Sequence, residues 1–158
     1  MTNRKSRGVK VGDPLPDLVL PDQNGTMVQL RGWVGRSALV LFFYPKDGSP
    51  VCTREVCHFG ERHDEFQGLN AEVIGISSDG PESHARFSGQ HDLPFTLLSD
   101  TDGQARERFG TGSTLGFVPG RVTYVADRQG VVRHIYRSQL RARKHVEKAL
   151  SALNDDAE

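Results

Sequence analysis

An unbroken apolar run, SALVLFFY at residues 37–44, constrains the fold of this chain more than any other feature. Its aromatic and branched side chains predict a strand that is buried on both faces, as central strands of parallel sheets are. AEVIGISS at residues 71–78 has the same character. Between them, residues from Cys52 to about Phe66 carry apolar side chains at helical spacing. The sequence therefore predicts a strand–helix–strand unit with parallel strands.

The remaining patterns extend this unit into one α/β domain that spans residues 1–158. Turn formers and apolar periodicity predict the other elements. These are strands at 26–30 and 95–100, helices at 81–91 and 103–110, a β-hairpin at 121–137, and a closing helix at 139–153 whose apolar side carries Leu140, Val146, Leu150 and Leu153. The predicted fold is a central mixed β-sheet flanked by helices, with flexible ends at residues 1–8 and 154–158.

Charge and hydropathy exclude several classes of partner. Lys and Arg total 20 and Asp and Glu total 20, so the net charge is zero and nothing favours binding to nucleic acid or an anionic membrane. The run ALVLFFY at 38–44 is too short to cross a bilayer, and the basic N-terminus MTNRKSRGVK precedes no apolar run. We therefore expect a cytoplasmic protein, in which structural disulfides are rare. Its two cysteines are then expected to be chemically active, with two buried inert thiols as the alternative.

The two cysteines lie across a predicted helix start, in YPKDGSPVCTREVCHF at residues 44–59. Ser49 suits the N-cap and Pro50 the first helical position. Cys52 then lies in the first turn, where unpaired N–H groups and the helix dipole favour a thiolate. Cys57 lies more than a turn further on, so Cys52 is predicted to be the more reactive sulfur.

Helix geometry separates the two sulfurs as long as the segment stays helical. Residues five apart have Cα atoms roughly 8–9 Å from each other. A disulfide needs a Cα separation of about 4.4–6.8 Å. A bond between Cys52 and Cys57 would therefore require the first turns of the helix to unwind.

The cysteine loop resembles the signature of the peroxiredoxin family, in which a Pro, a Thr or Ser, a Cys and a Glu follow one another at fixed spacing. Here these positions are Pro45, Ser49, Cys52 and Glu55. A second cysteine in the same helix resembles the Q-type subgroup, also called bacterioferritin comigratory proteins, as do the segments GDPLPDLVLPDQNG, VIGISSD and FTLLSD. The resemblance covers roughly residues 11–136. It implies a thioredoxin-like fold of the peroxiredoxin type.

The resemblance also implies residue roles and an activity. Cys52 would attack hydrogen peroxide or an organic hydroperoxide and become a sulfenic acid. Ser49 would hydrogen-bond the thiolate and peroxide, Pro45 would shield the pocket, and Arg121 would supply a fixed positive charge. Cys57 would be the resolving cysteine, forming an intramolecular disulfide that thioredoxin or a similar thiol reductant reduces. The relatives also make a monomer the expected state, with no cofactor.

The same residues also have plainer interpretations. Without the resemblance, Arg121 reads as a solvated strand end and Glu55 as an acid that suits the helix dipole. Cys52, Cys57, His58 and His63 invite a zinc site, but no two have i, i+4 spacing and no C-x₂-C occurs, so no metal is predicted. The remaining histidines lie on separate elements and are predicted to face solvent: His84, His91, His134 and His145.

Two other functions remain open at this level. A thioredoxin-like disulfide oxidoreductase normally carries C-x-x-C at this helix start, whereas this chain carries C-x₄-C. A non-enzymatic redox-sensing module would need only the disulfide switch. Pro45, Ser49 and Arg121 favour peroxide turnover over both.

Overall fold

A computed structural model describes residues 8–114 and 118–157 of the chain. Its centre is a five-stranded mixed sheet in the order β5–β4–β3–β8–β9. The strands of this sheet are β3 (Ala38–Phe43), β4 (Ala71–Ser77), β5 (Thr96–Ser99), β8 (Val122–Ala126) and β9 (Val132–Arg137). β3, β4 and β5 run parallel, while β8 runs antiparallel to β3 and to β9. The predicted strand–helix–strand unit and the predicted hairpin are both confirmed.

In the described part of the chain, one short hairpin, a second pair of antiparallel strands and a 3₁₀ turn lie outside the main sheet. They are β1 (Val19–Pro21) with β2 (Met27–Gln29), β6 (Ser113–Thr114) with β7 (Val118–Pro119), and the turn Leu30–Trp33. The strand predicted at 26–30 is therefore shorter, because its last residue begins the 3₁₀ turn. Within the segment before Arg121, residues 115–117 lie outside the described part of the chain.

Among the described residues, five α-helices flank the sheet, and none of them has the length and apolar character of a membrane-spanning helix. They are α1 (Pro50–Glu61), α2 (His63–Gly68), α3 (Pro81–His91), α4 (Gln104–Phe109) and α5 (Ala142–Ala157). The helix predicted from Cys52 to about Phe66 is divided at Arg62, whose φ of −100° and ψ of 11° end α1. Gly110 ends α4 in the left-handed conformation, as glycine readily does.

The closing helix differs from its prediction at both ends. It begins at Ala142 instead of residue 139, and Leu140, predicted to lie on its apolar side, is 80% exposed. It also continues to Ala157, through residues predicted to form a flexible end, and the side-chain amide of Asn154 donates to the Leu150 carbonyl oxygen. Of the predicted flexible N-terminal residues, 1–7 lie outside the described residues.

The core has one layer on each face of the sheet, because successive residues of β3 point to opposite sides. Val40 and Phe42 pack with residues of α1, α2, α3 and α5. Leu39, Leu41 and Phe43 pack on the other face with α4 and the N-terminal hairpin. β3 is buried at every position, as its apolar run predicts. This placement anchors the start of α1 directly at the carboxyl end of the central strand, where ligands bind in open α/β sheets.

Candidate active site around Cys52

Cys52 is the third residue of α1 and its side chain is completely buried. Pro50 occupies the first helical position as predicted, because its fixed φ and missing N–H suit a helix start. Ser49 is at the N-cap position, but its hydroxyl donates to the Lys46 carbonyl oxygen at 3.0 Å and caps no helical N–H. The predicted N-cap position of Ser49 is therefore confirmed, but its side chain makes no capping hydrogen bond.

Arg121 brings a positive charge to the Cys52 sulfur from the opposite side of the site. Its Nη2 donates to Cys52 Sγ at 3.3 Å and its Nη1 donates to Glu55 Oε1 at 2.6 Å. Its Nε donates to the Gln139 carbonyl oxygen at 2.9 Å. The side chain is thus fixed from three directions, and the residue is only 5% exposed. The interpretation of Arg121 as a solvated strand end is wrong.

Gly120 allows the chain to deliver Arg121 at this place. Its N–H donates to the Gly112 carbonyl oxygen at 2.9 Å. A Cβ atom on Gly120 would lie 2.3 Å from the Thr111 carbonyl oxygen, so any larger residue would push these two segments apart. The guanidinium position therefore depends on a close backbone approach that glycine permits.

Glu55 is a functional residue that the sequence interpretation missed. Its side chain is completely buried, so Glu55 does more than suit the helix dipole. Burial raises the pKa of Glu55 to about 7, although the charge of Arg121 acts in the opposite direction. Burial lowers the pKa of Arg121, but Glu55 and Cys52 outweigh this effect and raise that pKa above its ordinary value. Arg121 therefore stays charged beside the sulfur.

His145 of α5 lies behind this ion pair and is completely buried, so its predicted exposure is wrong. Its Nε2 donates to the Ser138 carbonyl oxygen at 2.8 Å, and its Nδ1 lies 2.7 Å from the hydroxyl of Thr123. Burial, and also the charge of Arg121, lower the pKa of His145 to about 4 despite the raising effect of the Ser138 carbonyl. The imidazole is therefore neutral, with a proton on Nε2, and Nδ1 accepts from the Thr123 hydroxyl.

The neutral imidazole leaves Glu55 incompletely paired. His145 Nδ1 lies 3.6 Å from Glu55 Oε2. Both atoms are acceptors when the two groups are unprotonated, and Oε2 has no hydrogen-bond partner among the described residues. The raised pKa of the Glu55 carboxyl group agrees with this incomplete pairing, because no donor in the described part of the chain stabilises the carboxylate at Oε2.

A cavity of about 300 Å³ opens beside Arg121 at the surface. It is lined mostly by apolar side chains from the helix start and from the segment before α5: Pro45, Ser49, Pro50, Val51, Arg121, Gln139 and Leu140. Three of the predicted site residues, Pro45, Ser49 and Arg121, thus share one pocket, next to the buried Cys52. A small substrate with an apolar body fits such a lining.

The loop that carries Pro45 and Ser49 is tied to α3 through Asp47. The Tyr44 hydroxyl donates to Asp47 Oδ1 at 2.6 Å, and His84 Nδ1 lies 2.7 Å from Asp47 Oδ2. His84 Nε2 contacts the Leu98 carbonyl oxygen at 3.0 Å, and His84 is completely buried, so its predicted exposure is also wrong. Burial acts to raise the pKa of Asp47, but hydrogen bonds from His84 and Tyr44 hold it below its ordinary value. The loop is therefore fixed by an ionised carboxylate.

Asp79 adjoins Asp47 and His84 and completes a group whose ligand atoms lie within 4.8 Å of one another. Such a group could hold a metal ion. Its carboxylates are already engaged, because the backbone N–H of Asp47 and the hydroxyl of Ser77 both donate to Asp79 Oδ2 at 2.7 Å. The arrangement works without an ion as a hydrogen-bonded brace of the loop.

Cys57 lies on the same helix but opens to a different place. It is free, like Cys52, and half-buried. Burial, and secondarily the Glu61 carboxylate, raise the pKa of the Cys57 thiol. It lines a separate groove between α1 and the start of α5. The structure thus brings Pro45, Ser49, Cys52 and Arg121 to one site and leaves Cys57 at its border, within an intact helix.

Comparison with known proteins agrees with this arrangement. The model of the AhpC/TSA family matches residues 11–135. The chain is 43% identical over 146 residues to the chloroplastic peroxiredoxin Q of Arabidopsis thaliana, an alignment that covers 92% of this chain and 67% of the plant protein. It is 42% identical, with the same coverage, to that of Oryza sativa subsp. japonica.

Solved structures have the same architecture. Peroxidoxin BcpB of Mycobacterium tuberculosis superposes with a TM-score of 0.86 at 35% sequence identity, covering 93% of this chain and 97% of that one. A bacterioferritin comigratory protein of Xanthomonas campestris, studied for its alkyl peroxide reduction activity, superposes with a TM-score of 0.85 at 29% identity, covering 95% and 98%. The predicted thioredoxin-like fold of the peroxiredoxin type is confirmed.

Proposed function

The chain belongs to the AhpC/TSA family, within its peroxiredoxin Q group, and is a thiol peroxidase; from this premise we propose that Cys52 is the sulfur that attacks the peroxide. The observation that carries the assignment is the contact of 3.3 Å between Arg121 Nη2 and Cys52 Sγ. Cys57 has no comparable cation in hydrogen-bonding contact among the described residues, and its pKa is raised. A fixed cation stabilises a thiolate, and the thiolate is the reactive form.

The first step follows from this contact. The Cys52 thiolate attacks one peroxide oxygen, the O–O bond breaks, and the sulfur becomes a sulfenic acid. The second oxygen leaves with the bonding electrons and takes up a proton to give water or an alcohol. Arg121, held by Glu55 and the Gln139 carbonyl, is positioned to stabilise that leaving oxygen without moving.

The second step uses Cys57 as the resolving cysteine. Its thiolate attacks the sulfur of the sulfenic acid, a disulfide forms and the hydroxyl group leaves as water. The two cysteines lie in an intact α1, with Cα atoms that helix geometry places roughly 8–9 Å apart. A disulfide needs about 4.4–6.8 Å, so the step requires the first turns of α1 to unwind.

The cavity beside Arg121 supports organic hydroperoxides as substrates in addition to hydrogen peroxide. Its lining is dominated by Pro45, Pro50, Val51 and Leu140, which favour an apolar substituent over a water-filled site. The Xanthomonas campestris relative is described as reducing alkyl peroxides. We expect an alkyl hydroperoxide to place its O–O bond toward Cys52 and its alkyl group on these side chains.

The reductant, assembly and location complete the proposal. A disulfide between Cys52 and Cys57 within one chain needs no second subunit, which supports a monomer. Its turnover needs a thiol reductant such as a thioredoxin, and a reducing compartment supports the cytoplasm as the location. Size-exclusion chromatography with light scattering and fractionation of the source cells test these two points.

The cysteine assignment is tested by intact mass after one equivalent of hydrogen peroxide. The reduced parent should lose two hydrogen atoms as the disulfide forms. Cys57→Ser should gain oxygen at Cys52, and Cys52→Ser should stay unchanged in mass. Addition of thioredoxin should restore the parent alone. Oxidation of Cys52→Ser together with an inert Cys57→Ser would reverse the assignment of the two sulfurs.

A further inference from the structure

A groove of about 410 Å³ lies between α1 and the start of α5, and the peroxidase reaction as described makes no use of it. α1 contributes Arg54, Cys57, His58 and Glu61, and residues 140–144 contribute the other wall. Leu140 separates this groove from the substrate cavity because it lines both. The volume is within the range of roughly 300–1,000 Å³ that is typical of small-molecule sites.

The groove concentrates positive charge on a chain whose net charge is zero. Its cationic side chains, all exposed, are Arg54, Arg141, Arg143 and Lys144, and they face a single lining carboxylate, that of Glu61. Within the part of the chain that the structure describes, only Lys144 of these four forms an ion pair, at 3.8 Å with the exposed Glu147. A local field of this kind attracts an anion.

The helix start adds to this field. Arg141 directly precedes α5, and Arg143 and Lys144 lie in its first turn, which holds no acidic residue. A helix N-terminus carries partial positive charge and unpaired N–H groups, so cations there are placed unfavourably and acidic groups favourably. The cations at the start of α5 are therefore repelled by the positive end of the helix dipole. An anion bound in the groove would reduce this repulsion.

The groove also contains a thiol, which indicates what the anion does. Cys57 is half-buried, lines the same groove as these cations and is one sulfur of the proposed disulfide. We propose that the groove binds the reductant, and that this reductant is a low-molecular-weight thiol carrying carboxylate groups. The inference rests on the proposed function of Cys57. The volume of the groove suits a small molecule, and a thioredoxin is the alternative that the experiment distinguishes.

The exchange chemistry balances with two molecules of such a thiol. The first thiolate attacks Cys57 Sγ, the Cys52–Cys57 bond breaks, and Cys52 leaves as a thiolate beside Arg121. The second thiolate attacks the reductant sulfur of the mixed disulfide, Cys57 leaves and takes up a proton, and the oxidised reductant departs as its own disulfide. Residues 140–144 lie outside the turns of α1 that must unwind, so their cations stay in place in the oxidised protein.

The test compares thiols that differ in charge. The oxidised protein, with its disulfide confirmed by intact mass, is reduced by mercaptosuccinate, 2-mercaptoethanol or cysteamine, and each rate is divided by the thiolate concentration. We expect mercaptosuccinate to be at least tenfold faster than 2-mercaptoethanol, cysteamine to be the slowest, and the preference to fall as salt is added.

The variant Arg141→Gln/Arg143→Gln should lose most of this preference and keep its rate with 2-mercaptoethanol. A matched control is Arg36→Gln/Arg128→Gln, which removes two exposed arginines at the opposite end of β3 and in the turn of the β8–β9 hairpin. It removes the same charge from the chain and should keep the preference.

Two results would overturn the proposal. One is an equal preference for mercaptosuccinate in the parent and in Arg141→Gln/Arg143→Gln. The other is a loss of rate in that variant with thioredoxin but not with mercaptosuccinate, which would assign the groove to an acidic protein. If the disulfide does not form, the proposed role of Cys57 fails instead. Binding of succinate to the reduced protein, measured by calorimetry in the parent and both variants, then tests the anion site independently of the disulfide.

Discussion

Cys52 and Cys57 share one helix, yet their surroundings are opposite. Five residues turn an α-helix by about 500°, so the two side chains point about 140° apart around its axis. Cys52 is completely buried and contacts the guanidinium of Arg121. Cys57 is half-buried in an open groove, where burial and the Glu61 carboxylate raise the pKa of its thiol.

This difference shows how one helix can separate two steps of a reaction. The sulfur facing inward meets a fixed cation and lies next to a mostly apolar cavity, which suits attack on a peroxide. The sulfur facing outward is held back from attack and remains accessible for exchange with a reductant. The two sulfurs stay apart only while α1 is helical. Oxidation to the disulfide is therefore the most direct way to remove the difference between them.

Oxidation should unwind α1 from Cys52 through at least Cys57. We expect amide exchange in this segment of the disulfide form to be about a hundredfold faster or more, since opening free energies of core helices fall by several kcal/mol when their hydrogen bonds and packing are lost. Val56 and Phe59, both completely buried in the reduced form, would leave the core. Hydrogen exchange by mass spectrometry at residues 50–62 in both redox states measures this.

The amides of α3 provide an internal control, because that helix lies outside the segment and should exchange equally in both states. Equal protection of α1 in a sample confirmed to hold the disulfide would mean that the two cysteines can bond without unwinding. The helical separation would then not explain their different roles.

Arg121→Gln should make the two sulfurs more alike. It removes the cation from Cys52 and leaves Glu55 buried without its partner. A charge-assisted contact contributes about 1.5–3 kcal/mol, so the rate of peroxide reduction should fall tenfold or more. Stopped-flow measurement of the first oxidation tests this, with Arg133→Gln as control, since Arg133 pairs with Asp127 in the hairpin. An unchanged rate would remove Arg121 from the mechanism.

The strand and the helix start that carry this site could be predicted from the sequence alone, because both depend on local patterns. The apolar run before the loop specifies β3, and Ser49-Pro50 specifies where α1 begins. Arg121 could be named only through the family resemblance, since a strand-end arginine has no local pattern that marks it as buried. Its role depends on contacts with Cys52 and Glu55, 69 and 66 residues away in the chain.

The histidines show more clearly what local sequence patterns fail to predict. His84 and His145 lie on separate elements, and for that reason the sequence predicts that both face solvent. Both are buried because a distant acceptor satisfies each ring: the Leu98 carbonyl for His84 and the Ser138 carbonyl for His145. Such pairing across elements leaves no trace in local spacing. The exposed cations of α5 were visible in the sequence, but the groove that unites them with Cys57 requires the packing of α5 on α1.

Glu55→Gln should change how stability depends on pH. The pKa of Glu55 rises from an ordinary 4.5 to about 7 on folding, so the folded state binds the proton more tightly and this group's contribution is lost as pH rises across that range. The pKa of His145 falls from 6.5 to about 4, so its contribution grows with pH and opposes that of Glu55. Of these two opposing contributions, the variant keeps only that of His145.

The free energy of unfolding of Glu55→Gln should therefore rise more steeply between pH 4.5 and 7 than that of the parent, by up to about 1.4 kcal/mol per pH unit. Urea unfolding across this range measures both slopes. Glu72→Gln, at an exposed position of β4, should follow the parent. Parallel curves for the parent and Glu55→Gln would show that Glu55 takes up no proton on folding.

Glu61→Gln changes the surroundings of Cys57 and should produce the smallest effect of these substitutions. Removing this carboxylate lowers the Cys57 pKa, although burial, the larger cause of its increase, remains. More thiolate is then present at neutral pH, but each thiolate is a weaker nucleophile, because nucleophilicity falls with pKa at a Brønsted slope of about 0.4–0.5. The two effects partly cancel, so disulfide formation after peroxide addition should accelerate by less than about threefold. The pH profile of this step should shift toward acid, while the rate of Cys52 oxidation stays constant.

His58, which lies 3.5 Å from Glu61, loses its partner as well, so His58→Gln is the control that separates that loss from the charge effect. A profile that shifts equally in both variants would assign the effect to the contact between His58 and Glu61, and an unshifted profile in Glu61→Gln would leave burial as the cause of the raised pKa of Cys57.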